Sequence, residues 1–155
     1  MTPQYHQLLN SVLKFLSIRP RSRREIEIYL TKKTSDTALI NQVIDKLTNF
    51  KLIDDAAFSK WLVESRSRSR PRGRRLLIQE LKTKGVDISN LPSPVSSLDE
   101  TELAKNALQK KLKIWDRLPR RDFRLKTTRF LYSRGFSWDV IEKVLKNVYN
   151  KNNVN

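Results

Sequence analysis

Apolar residues recur three and four positions apart along most of this chain, which is the spacing of one face of an α-helix. The first such run is Tyr5, Leu8, Leu9, Val12 and Leu16. Pro20 disfavours helical backbone at the residue before it, so this helix should end by Arg19. Alternating β-branched residues are nearly missing, and only three Gly occur. The pattern predicts an all-α protein.

Polar residues that can cap helix N-termini indicate where the later helices begin. Ser22 and Glu25 have the spacing of a capping box, in which a hydroxyl and a carboxylate satisfy free backbone N–H groups. Ser97 and Glu100 have the same spacing and predict another start. Further helices are predicted to begin near Asp36, at Asp54 or Asp55, after Pro71 and Gly73, at Leu118-Pro119 and at Ser137. Gly85 is a predicted helix end.

The helical segments repeat along the chain. Ile26-x-x-x-Leu30, Leu77-x-x-x-Leu81 and Thr127-x-x-x-Leu131 recur at intervals of 51 and 50 residues, and each is followed by a basic residue three positions later. A period of this order is typical of stacked supersecondary units, although helices rich in Leu and Lys could also match by coincidence. We predict tandem three-helix repeats in an elongated, curved solenoid. The predicted modules are residues 1–52, 53–97 and 98–149, followed by a frayed tail at 150–155.

The segment 87–97 interrupts this scheme. Its sequence, DISNLPSPVSS, contains Pro92 and Pro94 and is rich in Ser, so we interpret it as a loop. It stands where the third helix of the second module is expected. The second module is therefore predicted to have an interrupted third helix, and the loop to be the main internal boundary.

The charge of the chain indicates the class of partner. Lys and Arg number 32 against 16 Asp and Glu, a formal net charge of +16. Such a chain repels itself unless an acidic partner screens it, so nucleic acid or an acidic protein surface is predicted, although a generically basic protein would also fit. The chain has no Cys, which suits a reducing cytoplasm. No signal sequence or run of about 18 apolar residues is present, so we expect neither secretion nor a membrane span.

Residues that could carry catalysis are few. His6 is the sole His, and the adjacent carboxylates Asp54-Asp55 and Asp99-Glu100 stand where helix N-termini favour negative charge, so capping explains them better than metal binding. No phosphate-binding Gly-rich loop or Ser-His-Asp set appears. The three Trp lie on apolar helical stripes, and we predict that they pack in the core rather than stack on bases. The sequence predicts a protein without enzymatic activity, metal or cofactor.

Basic residues form three groups, which are the predicted contacts with an anionic partner. The first is Arg19, Arg21, Arg23 and Arg24; the second is Arg66, Arg68, Arg70, Arg72, Arg74 and Arg75; the third is Lys110, Lys111, Lys113, Arg117, Arg120, Arg121, Arg124 and Lys126. The guanidinium group binds phosphate or carboxylate through two parallel hydrogen bonds. The strongest candidates are the whole second group together with Arg21, Arg24, Arg120 and Arg121. The alternative is that these residues form solvated faces that only keep the protein soluble.

Two blocks of sequence resemble a known family. The central block is Asp54-Asp55-x-x-Phe58-x-x-Trp61, followed by Gly73 and by Leu77-x-x-Glu80-Leu81-x-x-Lys84-Gly85-Val86; the closing block is Tyr132-x-Arg134-Gly135-Phe136-Ser137-x-Asp139-x-Ile141. Both are similar to the corresponding segments of the RecX family of recombination regulators, and Arg21-Ser22-Arg23-x-Glu25 is similar to its first module. The Pro92 and Pro94 interruption departs from the family pattern.

The resemblance implies a function. Members of the RecX family consist of three tandem three-helix repeats, have no enzymatic activity, and control the RecA recombinase by docking into the groove of its filament on DNA. We therefore expect a cytoplasmic, monomeric regulator that binds this filament and inhibits the recombinase, with weak binding to DNA alone. The rival interpretation is a direct DNA- or RNA-binding protein, since three-helix units with basic helix starts also describe helix-turn-helix proteins.

Overall fold

The computed structural model of the chain describes residues 2–89 and 95–152, with side chains described as far as residue 148. In this part of the chain there are eight helices and no strand, which confirms the predicted all-α class. The helices are α1 Pro3–Ile18, α2 Arg23–Lys33, α3 Thr37–Asn49, α4 Asp55–Arg68, α5 Arg74–Thr83, α6 Glu100–Trp115, α7 Arg120–Ser133 and α8 Trp138–Asn152.

The chain divides into two compact units. The first unit takes in Met1–Leu62 and Leu81–Pro92, and the second takes in Val63–Glu80 and Ser93–Asn155. The boundary crosses α4 and α5, so each of these helices contributes residues to both units.

The core of the first unit comes from one apolar face of each of its first three helices. Its buried members are Tyr5, Leu8 and Val12 of α1, Ile26 and Leu30 of α2, and Ile40, Val43, Ile44 and Leu47 of α3. Each set has the spacing of a helix face, so burying these positions forms a three-helix core.

The core of the second unit is built in the same way by α6, α7 and α8. Its buried members are Leu103, Ala104, Leu108, Phe123, Leu131, Phe136, Ile141, Val144 and Leu145. Of these, Phe136 lies in the turn between α7 and α8 rather than in a helix. Both cores thus rest on short amphipathic helices that bury little surface individually.

The repeated positions of the sequence are equivalent in the structure. Ile26, Leu77 and Thr127 are all at most 1% exposed, and so are Leu30, Leu81 and Leu131. Each pair lies on the inner face of the second helix of its predicted module. The helical repeat is therefore confirmed at these positions, and the boundaries between modules stay a prediction.

Most predicted helix starts are confirmed, with one correction. Ser22 and Glu25 form a complete capping box, and Asp36 caps α3. The helix predicted to begin with a Ser97–Glu100 capping box instead begins at Glu100, where the carboxylate of Asp99 accepts the Glu102 N–H at 3.1 Å. A carboxylate outcompetes the hydroxyl there because the helix dipole favours negative charge at an N-terminus.

Two other boundaries bear on the prediction. Helix α8 continues to Asn152, so it includes the first three residues of the predicted frayed tail, and 153–155 lie outside the described residues. Residues 87–89 and 95–97 are not helical, as predicted for the loop. Pro92 and Pro94, on which that prediction rested, lie outside the described residues.

The prediction that all three Trp pack in the core is wrong for Trp138. Its side chain is 56% exposed, whereas Phe136, two residues earlier, is 1% exposed. Trp138 is the first residue of α8, and the buried stripe of that helix begins one turn later at Ile141. Phe136 supplies the buried aromatic ring at this end of the core, and Trp138 lies outside the buried stripe of α8. Trp61 and Trp115 are half-buried.

Thr127 places a polar atom in an otherwise apolar core. Its hydroxyl is buried and, among the described residues, has no hydrogen-bond partner, while the equivalent positions hold Ile26 and Leu77. A buried hydroxyl without a partner costs about 1–3 kcal/mol. We expect Thr127→Val to raise the free energy of unfolding by about 1 kcal/mol in urea titrations. The neighbouring half-buried Thr128→Val is the control, and a loss of stability in Thr127→Val alone would show that the hydroxyl is bonded.

Candidate partner-binding surfaces

The start of α2 is joined to the end of α5 within the first unit. The buried Ser22 hydroxyl donates to the carbonyl oxygen of Lys84 at 2.8 Å while it accepts the Glu25 N–H at 3.2 Å. Gly85 follows in the left-handed region at φ +76°, and a Cβ there would lie 2.6 Å from Cδ of Arg24. The capping box therefore also connects two helices far apart in sequence.

The second unit contains an equivalent joint, one repeat later. The backbone N–H of Gly73, which precedes α5, donates to the carbonyl oxygen of Arg134 at 2.8 Å. A Cβ on Gly73 would lie 2.2 Å from the carbonyl oxygen of Gly135. Ser22 and Gly73 are 51 residues apart, and their partners Lys84 and Arg134 are 50 residues apart. The contact between a helix start and a helix end therefore recurs at the same interval as the sequence repeat.

The first basic group is largely used inside the protein. Arg19 forms a bidentate pair with Glu25 at 3.2 and 2.6 Å and lies 5.3 Å from the ring centroid of Trp61. The guanidinium of Arg21 is 3.8 Å from the ring centroid of Phe15 and 3.6 Å from the Glu25 carboxylate. Both arginines therefore stabilise the first unit.

The other two members of the group differ. Arg23 pairs with Glu27 at 3.0 Å. Arg24 is exposed, and no hydrogen bond or ion pair of its side chain is found among the described residues. Of the two residues predicted here as partner contacts, Arg24 is available in this conformation and Arg21 is engaged.

Glu25 is the electrostatic centre of this group. Its burial alone would raise the pKa of the carboxyl, but hydrogen bonds from Arg19 and from the Ser22 backbone, with the charges of Arg19 and Lys84, outweigh burial and lower the pKa below 4.5. Folding therefore favours the ionised carboxylate. This carboxylate stabilises the folded protein at pH values above the pKa that Glu25 has in the unfolded chain, and the stabilisation is lost as the pH falls through the lower pKa of the folded state.

This linkage predicts how a Glu25→Gln variant behaves. At pH 7 the variant should be less stable than the wild type, and the difference should narrow as the pH falls below the ordinary carboxyl pKa of 4.5 and through the lower pKa of the native carboxyl, which then becomes protonated. Thermal unfolding followed by circular dichroism between pH 7 and pH 3 measures it. Glu27→Gln, on the more exposed side of α2, is the control and should cost less. A constant difference across this range would contradict the assignment.

Glu80 binds two arginines of the second basic group. Its carboxylate accepts hydrogen bonds from Nη2 of Arg66 at 2.5 Å and from Nη1 of Arg72 at 3.0 Å. The hydrogen bond to Glu80 raises the pKa of Arg66 despite partial burial. Both arginines flank the turn between α4 and α5, so this cluster, the Glu80 clamp, fixes both ends of that turn.

Arg74 and Arg75 attach the start of α5 to the rest of the second unit. Arg74 lies 3.5 Å from the Glu100 carboxylate and donates to the Val95 carbonyl at 3.3 Å. Arg75 donates to the Tyr132 carbonyl at 3.1 Å, and its guanidinium is 5.3 Å from that ring's centroid. Four of the six arginines predicted as partner contacts in this group therefore already have partners within the chain.

Arg68 and Arg70 are the remaining members of the second group. Both are exposed, and neither side chain has a hydrogen bond or ion pair in the part of the chain that the structure describes. Arg70 also has a left-handed backbone, at φ +54°. They are the two arginines of this group that the structure presents to solvent.

The third group, on α6, on α7 and in the turn between them, has the fewest contacts within the chain. Lys111 is half-buried near the rings of Trp115 and Phe130, Arg124 pairs with Glu142 at 2.5 Å, and Arg120 is exposed. We call the remaining five, all exposed, the α6–α7 basic set: Lys110, Lys113, Arg117, Arg121 and Lys126. Within residues 2–89 and 95–152, their side chains have no hydrogen bond or ion pair. This availability could not be read from sequence, because it depends on where the acidic residues lie.

Sites for other chemistry are few. No group of three or more His, Asp or Glu able to hold a metal occurs among the described residues. His6 is exposed, and its ring contacts that of Tyr5 edge-on at 5.5 Å. In the same part of the chain, no helix is both long and apolar enough to cross a bilayer.

Comparison with known proteins yields three successive family matches. The family model for the RecX first three-helix domain matches residues 9–47, that for the second domain matches 54–89, and that for the third matches 99–145. The matches follow the chain in order and leave few residues between them.

Curated relatives match nearly the whole chain. Regulatory protein RecX of Pelodictyon phaeoclathratiforme is 34% identical over 134 residues, covering 86% of this chain and 84% of the relative. Regulatory protein RecX of Mycolicibacterium smegmatis is 34% identical, with 91% and 81% covered. The Bacillus subtilis protein of the same name is 31% identical over 92% of this chain, which spans 55% of that longer relative.

Solved structures share the fold. The crystal structure of RecX from Lactobacillus salivarius superposes with a TM-score of 0.79 at 22% identity, covering 95% of this chain and 97% of that one. A second crystal structure, of regulatory protein RecX, gives a TM-score of 0.76 at 24% identity, with 91% and 72% covered. At these identities the likeness concerns the arrangement of the helices.

Proposed function

Since this chain belongs to the RecX family, we propose that it is a regulatory protein that binds the RecA–DNA filament and inhibits the recombinase in recombination and DNA repair. The observation that carries the proposal is the succession of three RecX domains along residues 9–145. A formal charge of +16 supports it, because a nucleoprotein filament offers phosphates and acidic side chains to a basic protein.

The chemistry then belongs to the partner. We propose that the protein acts in the cytoplasm as a monomer, without enzymatic activity, metal or cofactor, and restrains strand exchange together with the ATP hydrolysis of the recombinase. The contacts we propose are the exposed arginines among the predicted ones, namely Arg24, Arg68, Arg70, Arg120 and Arg121. Arg21, Arg66, Arg72, Arg74 and Arg75 support these surfaces through their contacts within the chain.

Co-sedimentation tests this function directly. The protein should pellet with RecA assembled on single-stranded DNA and should remain largely in solution with the same DNA alone at physiological salt. Strand exchange and DNA-dependent ATP hydrolysis by RecA should fall as the protein is added. Equal pelleting with and without RecA, or unchanged recombinase activity at saturation, would contradict the proposal.

The second candidate is direct binding to DNA or RNA, which the exposed α6–α7 basic set favours. This function predicts tight binding to naked nucleic acid, with an affinity that falls steeply with salt and depends on base sequence. Titration of labelled duplex and single-stranded DNA at low and at physiological salt distinguishes the two candidates.

A further inference from the structure

The turn between α4 and α5 holds a strained arginine. Helix α4 ends at Arg68, and Arg70 takes the left-handed backbone that commonly ends a helix, at φ +54°. A residue with a side chain adopts this conformation at a cost of about 1–2 kcal/mol, which is why glycine is usual there. Gly85 and Gly135 occupy the corresponding positions after α5 and α7.

In the described part of the chain, the other left-handed residues that follow a helix are accompanied by a backbone hydrogen bond that Arg70 lacks. After Lys51, Gly85 and Gly135, which are also left-handed, the next backbone N–H closes the helix end. Leu52 donates to Leu47 at 2.8 Å, Val86 to Leu81 at 3.0 Å and Phe136 to Leu131 at 3.1 Å. The residue after Arg70 is Pro71, which has no N–H. Strain that persists without a local compensating bond is a reason to seek a role for the side chain that carries it.

The residues around Arg70 hold it in place. Arg66 and Arg72, on either side of the turn, both bind Glu80, and the Gly73 N–H binds the Arg134 carbonyl. Between these fixed points stand two exposed arginines separated by the exposed Ser69. The alternating arginines of this segment therefore fall into two pairs. Arg66 and Arg72 bind Glu80, whereas Arg68 and Arg70 are exposed to solvent.

We propose that Arg68 and Arg70 form a pre-organised arginine tip that binds phosphates of the DNA backbone. This proposal rests on the proposed function, because the DNA that the tip binds is the DNA of the recombinase filament. Guanidinium groups bind phosphate through two parallel hydrogen bonds, and a short turn fixed at both ends lowers the entropy cost of binding. The overall charge of +16 favours a polyanion over a local acidic patch as the ligand.

The first test compares two double variants. Arg68→Gln with Arg70→Gln should weaken binding to a single-stranded oligonucleotide at low salt and lower the log–log salt slope by about 1.4, or about 0.7 for each phosphate that is no longer bound. Lys143→Gln with Lys146→Gln removes the same charge from exposed positions on α8 and should change the slope much less. Equal slopes in the two variants would overturn the proposal.

The second test separates binding from folding. Arg70→Gly removes the side chain and relieves the left-handed strain, so its thermal midpoint should rise by about 2–4 °C while oligonucleotide binding weakens. A variant that is more stable and binds normally would show that the strain serves no contact and would overturn the proposal. The proposal would also be overturned if the Arg68/Arg70 variant fails to bind the filament but keeps the salt slope of the wild type on naked DNA. The tip would then contact the recombinase. If the wild type does not bind the filament, the proposed function is wrong. The salt slope of binding to naked DNA then still tests whether the arginine tip binds phosphates.

Discussion

Replacing Gly73 with alanine is expected to lower the free energy of unfolding by about 3 kcal/mol, the upper end for an overpacked site. The added Cβ would lie 2.2 Å from the carbonyl oxygen of Gly135, 2.4 Å from its carbonyl carbon and 2.6 Å from the backbone nitrogen of Phe136. All three are backbone atoms, so no side chain can rotate away. Relief requires the α5 start and the α7 end to separate, which breaks the bond between Gly73 and Arg134. Urea unfolding followed by circular dichroism measures the effect.

Gly85→Ala is the matched control for this prediction. Its Cβ would meet the side chain of Arg24, which is exposed and can move in part, and the main penalty is the left-handed backbone, about 1–2 kcal/mol. Gly73 carries no such backbone requirement, so its predicted cost is purely the close approach. If Gly73→Ala proves milder than Gly85→Ala, the second joint is looser than these distances indicate.

The helices could be predicted from sequence because their signals are local. The apolar spacing of α1 and the capping residues Ser22 and Asp36 act within one or two turns, so neighbours in sequence suffice to predict them. The error at Ser97 arose where two capping residues compete, and only the position of the first helical turn shows that Asp99 is the cap. Trp138 was predicted to be buried because it lies on the apolar stripe of its helix. Such a stripe does not show where along the helix the core ends.

The candidate site was less predictable, because it depends on contacts between distant residues. The arginines from Arg66 to Arg75 look equivalent in sequence. Glu80 distinguishes them, since it lies 14 residues from Arg66 and 8 from Arg72 and comes beside both only after α4 and α5 pack. The joint between Ser22 and Lys84 spans 62 residues. A charge pattern thus predicts how many cations a segment carries, and the fold decides which of them can bind a partner.

Removing the charge of the α6–α7 basic set is expected to have the largest effect on partner binding. With Lys110, Lys113, Arg117, Arg121 and Lys126 all changed to Gln, filament affinity should fall by about two orders of magnitude at physiological salt. The side chains are exposed and have no ion pair among the described residues, so the changes leave no buried charge and should spare the fold. The salt slope on single-stranded DNA should fall by about 0.7 for every phosphate that the variant no longer binds.

The control removes five exposed lysines from elsewhere, by changing Lys14, Lys32, Lys60, Lys143 and Lys146 to Gln. Both variants then have the same net charge, and any general attraction to DNA falls equally in both. Circular dichroism verifies that each remains folded before filament affinity is measured by co-sedimentation at several salt concentrations. A large decrease only in the α6–α7 variant assigns a specific contact to the third module. Equal decreases would mean that total charge alone governs binding, and the basic residues of α6 and α7 would then form a solvated face.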